Sequence, residues 1–153
     1  MSYKGYSARV EYDDGDGIFT GRIAGIRDGV GFHADTVEGL REAFREAVEA
    51  GADAVYCGFQ DATNARNFPG LNFTPEELAE AVAYAHARGT KVLLALNTYP
   101  QTATWSRWTA AVDKAADFGV DAIILADPGL MEYAKTKHPQ LRLHLSVQGS
   151  ATS

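Results

Sequence analysis

Five polar side chains follow short apolar runs closely enough to act together, and they are the first candidates for chemistry: Asn64, Arg66, Asn97, Asp127 and Gln148. The runs they follow, residues 54–58, 92–96, 122–126 and 141–147, read as strands. In α/β folds ligands gather beyond the carboxyl ends of parallel strands, so these five are expected to line one pocket. A guanidinium such as that of Arg66 grips an anionic group through two parallel N–H donors, and neighbouring amides orient what it holds. The competing reading makes all five capping and loop-bracing groups, and it is the weightier one for catalysis. No catalytic residue is therefore expected.

The other reactive residue types point away from chemistry. Cys57 lies inside an apolar run, where a thiol acts as a small buried hydrophobe. His33, His86, His138 and His144 show neither zinc spacing nor an HExxH run, and surface or strand-end roles are expected for them. The aspartates of DDGDG at 13–17 lack the later ligands and closing glutamate of a calcium loop, so they form a solvated turn. Trp105 and Trp108 sit at helical spacing and pack rather than stack on a ligand. No metal and no cofactor is expected.

The elements that would hold these residues alternate regularly from residue 35 on. Val37, Leu40, Ala43, Phe44, Ala47 and Val48 fall on one helical face, with Asp35 and Glu38 resembling a capping box and Gly51 ending the helix. Thr74, Pro75 and Glu77 start a second helix, which Gly89 closes. A third contains Trp105, Trp108, Ala111, Val112, Ala115 and Ala116 and stops at Gly119; a fourth starts at Pro128 and ends at His138 and Pro139. GADAV at 51–55 and GVDAI at 119–123 echo each other, as repeated βα units do. Before residue 35 the period is two: residues 6–12 and 18–24 read as a hairpin and residues 29–34 as a third strand.

Composition bounds the rest. With 153 residues and 46% hydrophobic content the chain can bury a core, and a net charge of −6 argues against nucleic acid as its main partner. One cysteine and no apolar run of membrane length suggest a cytoplasmic protein with no membrane contact.

Two resemblances sharpen these expectations. The opening, with its Tyr-Lys-Gly-Tyr start, DGIFTGR strand and DTVEGLREAF helix, resembles the N-terminal domain of HicB-type antitoxins, which block a small RNA-cleaving toxin. From Gly51 on, GADAVYCGFQDATNARNFPGLNF, ALNT, AIILADPGLMEYA and HLSVQGSAT resemble the N-terminal half of the collagenase-like peptidase family, especially its UbiU branch. That resemblance implies a barrel of parallel strands, a carboxylated small-molecule ligand, and an iron–sulfur cluster held by four cysteines in a later part of such chains.

The expected fold is α/β: an open, partly parallel sheet of incomplete TIM-barrel-like βα units, extended by an N-terminal antiparallel β-meander. Residues 1–50 and 51–153 are expected to pack as one domain. The expected function is a non-catalytic chimera, engineered or made by gene fusion, that self-associates through its open sheet edge. One alternative assigns residues 1–50 to gripping a HicA-like toxin; another keeps a remnant of oxygen-independent hydroxylase or peptidase-like activity.

Overall fold

A computed structural model describes residues 2–3, 6–13, 18–24, 37–67 and 72–149, with side chains from Gly39 on. In chain order the elements are β1 (Ser2–Tyr3), β2 (Tyr6–Asp13), β3 (Ile18–Ala24), α1 (Val37–Glu49), β4 (Ala54–Gly58), α2 (Pro75–His86) and β5 (Lys91–Leu96). A 3₁₀ turn (Thr102–Thr104) then leads into α3 (Trp105–Asp117), β6 (Ala122–Leu125), α4 (Pro128–Lys137) and β7 (Arg142–Leu145). The chain is thus α/β, with TIM-barrel-like βα units after an antiparallel meander.

Strands β4, β5, β6 and β7 form one parallel sheet in that order. Val55 stands beside Val92, Leu94 beside Ile123, and Ile123 beside Leu143. The antiparallel strands β1, β2 and β3 form a sheet of their own, with Arg9 opposite Arg22, and among the described residues they do not pair with the parallel one. The capping box at Asp35 and the strand expected over 29–34 lie outside the described residues.

Alternation along each parallel strand separates two faces. Val55, Val92, Leu94, Leu96, Ile123 and Leu125 turn into a cluster with Leu40, Phe44 and Val48 of α1, Leu78 and Val82 of α2, Val112 of α3 and Leu130 of α4. These are the periodic positions of each helix, so the helices cover one face of the sheet. Phe73, just ahead of α2, meets Phe44 edge to face at 5.6 Å, which locks α1 to the first βα unit. Tyr56, Gly58, Ala95, Ile124 and His144 occupy the other face.

The turns follow the local sequence. Thr74 and Glu77 form the expected capping box, the Thr74 hydroxyl accepting from Glu77 N at 3.3 Å while the Glu77 carboxylate accepts from Thr74 N at 2.9 Å. Gly51, Gly89 and Gly119 have φ of 83°, 78° and 73°, the left-handed conformation that ends a helix most readily at glycine. Each glycine is followed by a residue whose N–H reaches back into the last helical turn: Ala52 to Ala47 O, Thr90 to Ala85 O, Val120 to Ala115 O. No helix of the described residues is long and apolar enough to cross a membrane.

Candidate functional site

At the carboxyl ends of the parallel strands, on the face away from the helices, lies an open cleft of about 520 Å³. That volume suits a small-molecule ligand. Its floor is the sheet itself, through Gly58, Ala95, Ile124 and His144. One rim is the long connection after β4, carrying Asn64, Arg66 and Asn72; the opposite rim is the chain leaving β7, with Leu145, Ser146, Val147 and Gln148. Leu145 and Val147 are 57% and 103% exposed, so this second rim is apolar and open.

The first rim is built by side-chain amides. Asn64 and Asn72 are 5% and 3% exposed, and Asn64 Nδ2 donates to Asn72 Oδ1. Asn72 Nδ2 donates to Arg66 O at 2.7 Å, and Asn64 Oδ1 accepts from Arg66 N at 3.1 Å. Asn97, at the end of β5, accepts from Ala65 N at 2.9 Å and ties the loop to the next strand. Thr98 adds a second tie, its hydroxyl donating to Ala62 O at 2.6 Å and accepting from Trp108 Nε1 at 3.1 Å. Burying amides is unfavourable unless each finds a partner, and among the described residues no buried side-chain nitrogen or oxygen lacks one.

Gly58 makes this arrangement fit. A Cβ at that position would stand 2.0 Å from Asn64 Nδ2 and 3.1 Å from Asn72 Oδ1, so only a residue without a side chain lets the amides lie against the strand. Arg66 projects from the fixed loop, and its Nη1 donates to the Tyr56 hydroxyl at 2.7 Å. Among the described residues no carboxylate pairs with Arg66, and the cleft lining contains no aspartate or glutamate.

Of the five residues expected to share a pocket, Asn64, Arg66, Asn97 and Gln148 line this cleft. Asp127 does not: its carboxylate accepts from Leu130 N at 2.8 Å and caps α4. Because β6 passes straight into Asp127-Pro128, the side chain is turned back onto its own helix, which needs an acceptor at that spot. Gln148 contributes chiefly backbone to the rim, its carbonyl accepting from Tyr99 OH at 2.7 Å and its N–H donating to Ser146 Oγ at 3.2 Å.

Sequence reasoning missed Tyr56, Gly58, Asn72 and His144. Tyr56 was signalled weakly, as the polar-tipped residue at the alternating position of an apolar strand, and His144 likewise in β7. Asn72 carried no local signal, because its partners lie in another part of the loop.

Cys57 also touches the cleft, yet burial pushes its thiol up from the ordinary 9.0 to about 12. It stays protonated near neutrality and is no nucleophile. An iron–sulfur cluster needs four cysteine thiolates, so the residues present here do not fit one. Among the described residues no group of three histidine, cysteine or acidic side chains is gathered for a metal ion. His86 and His138 brace helix ends instead, with Nε2 2.9 Å from Asp121 and 2.6 Å from Asp113.

Comparison with known proteins gives one consistent answer. The model of peptidase family U32 matches residues 39–153. An uncharacterized protease, MJ0090, of Methanocaldococcus jannaschii is 38% identical over 109 residues, 71% of this chain and 26% of that protein. The tRNA hydroxylation protein P of Escherichia coli is 33% identical over 121 residues, 78% of this chain and 25% of that protein. The chain spans about a quarter of the length of the curated relatives it matches. Among solved structures, the U32 peptidase Mk0906 superposes with a TM-score of 0.58 at 19% identity, covering 82% of this chain and 53% of that one, a likeness of fold.

These matches overturn the expected chimera. The family match begins at Gly39, inside α1, and the α1 residues Leu40, Phe44, Ala47 and Val48 share one core with the strands that follow. The helix that was expected to come from an antitoxin is part of the family's own sequence.

Proposed function

The chain belongs to peptidase family U32, and from that premise we propose that its βα units form one wall of a substrate cleft that holds the oxyanion group, carboxylate or phosphate, of a small ligand. The observation that carries this reading is Arg66: a guanidinium on a braced loop, beside a tyrosine hydroxyl, in a cleft with no acid among its described lining residues. The chain has 20 acidic residues against 14 basic ones, so a cleft that among the described residues has no acid and holds an arginine with no carboxylate partner is a local reversal of its overall charge. A guanidinium fork matches an oxyanion with two charge-assisted hydrogen bonds. Tyr56, which accepts from Arg66, keeps its own hydroxyl proton available to the same anion. Ala95, Ile124, Leu145 and Val147 supply an apolar surface for the body of the ligand.

The lining supports recognition, and His144 on its floor is the one imidazole among its described residues. Those residues offer no carboxylate as general base, and their thiol is held neutral. We assign the chemical step to the part of the family's length that these residues do not match.

Titration with inorganic phosphate and with acetate, followed by amide and guanidinium NMR shifts, tests the recognition. Arg66→Met is expected to weaken the better of the two ions by roughly tenfold to a hundredfold, as a hydrogen bond to a charged group is worth about 1.5–3 kcal/mol. The ratio between the two ions identifies which oxyanion the site prefers, and unchanged binding in Arg66→Met would refute the site. For the missing step, relatives named for tRNA hydroxylation and for proteolysis define the assays. Incubation with tRNA should leave its nucleosides unaltered by mass spectrometry, and peptide substrates should stay intact; product in either assay would overturn the division of labour.

A further inference from the structure

We infer that Asn72 is a positioning residue for this oxyanion site, acting on the ligand only through Arg66; the inference rests on the reading of Arg66 given above. Asn72 lies two residues ahead of the cap of α2 and is 3% exposed. Both ends of its carboxamide are engaged, and both lead to Arg66. Its Nδ2 donates to the Arg66 carbonyl at 2.7 Å. Its Oδ1 accepts from Asn64, whose own Oδ1 accepts from the Arg66 N–H at 3.1 Å. The backbone N–H and C=O of Arg66 are therefore held at once, by two buried amides that also hold each other.

A surface loop ordinarily leaves its backbone groups to water. Here the peptide groups of one exposed arginine are enclosed in side-chain amides, and Gly58 is bare so that they fit. The enclosure fixes the Cα of Arg66 and leaves only its side-chain torsions free, with the Tyr56 hydroxyl as a stop at 2.7 Å. An arginine arranged in advance loses less freedom when it closes on an anion, which is how a braced loop raises affinity without adding a contact.

The far end of the same loop supplies an internal control. Asp61 accepts from Thr63 N at 2.9 Å and from Thr63 Oγ1 at 2.6 Å, bracing the turn without touching Arg66. A merely structural role for Asn72 would make loss of either brace equivalent. A positioning role would not.

The experiment compares Asn72→Ala, Asn72→Ser, Asp61→Ala and Arg66→Met, with inorganic phosphate as the probe and hydrogen exchange of the Arg66 amide as a second readout. The expected result is an affinity about tenfold lower in Asn72→Ala, with faster exchange at Arg66, while Asp61→Ala stays within about twofold of the parent despite a comparable fall in melting temperature. Asn72→Ser, whose hydroxyl is too short to bridge to Arg66, should follow Asn72→Ala and decides the matter if the alanine variant does not fold. Parental affinity in folded Asn72 variants, or equal losses in the Asn72 and Asp61 variants, would overturn the inference while leaving the Arg66 site standing. If Arg66→Met itself binds phosphate like the parent, the site fails and the positioning role falls with it.

Discussion

The two ends of the parallel sheet are built on opposite plans. At the amino ends of β4, β5 and β6 the chain arrives each time by the same device, a helix closed by Gly51, Gly89 or Gly119 and a single further turn of chain. At the carboxyl ends no two exits agree. After β4 comes a long loop laced by Asn64 and Asn72, after β5 a 3₁₀ turn, and after β6 an immediate cap by Asp127. Repetition at one end and individuality at the other is the division expected of a βα scaffold, where one rim holds the fold and the other holds the ligand.

The sharpest way to break this contrast is Gly58→Val, which puts atoms where Asn64 now lies. Overpacking against a braced loop should cost about 3 kcal/mol in chemical denaturation, at the upper end for such changes, and abolish phosphate binding. A fully folded, binding-competent variant would mean the loop does not depend on close approach to the strand.

The alkaline behaviour of Cys57 is a break of another kind, spread over a range of pH. Its folded thiol is raised above the ordinary 9.0 to about 12, so between those values the folded chain retains a proton that the unfolded chain releases. The contribution is fully present below about pH 9 and lost as pH rises, by up to about 1.4 kcal/mol per pH unit. Cys57→Ala should flatten that part of a stability–pH curve, and the native thiol should resist iodoacetamide at pH 8.

At the repetitive end, Gly119→Ala meets open space but a φ of 73°, and about 1 kcal/mol of strain is expected with phosphate affinity unchanged. On the other rim, but outside the cleft lining, Asp127→Ala removes the α4 cap and should cost a similar amount, about 1 kcal/mol, with binding unchanged. Loss of binding in Gly119→Ala would erase the distinction between the two rims.

The same contrast explains what could be read in advance. The helices and parallel strands follow from signals that act over a few residues: Thr74 three places before Glu77, glycine after the first three helical stripes, unbroken apolar runs. Asn64, Arg66, Asn97 and Gln148 were legible because they stand just beyond strand ends. Asp127 stood there too, and the Pro128 after it was the stronger cue, marking a helix start that would claim the carboxylate. Asn72 and Gly58 were illegible, since each acquires its meaning from a side chain elsewhere in the fold. Helix α1 was misassigned for a related reason: an amphipathic stripe states that it will be covered, and says nothing of which family's strands cover it.

The sheet order β4, β5, β6, β7 repeats the order of synthesis. A ribosome therefore releases β5, β6 and β7 each when the strand it joins is already outside. Such a chain can solidify progressively from its first unit onward, with each newcomer templated by the edge before it.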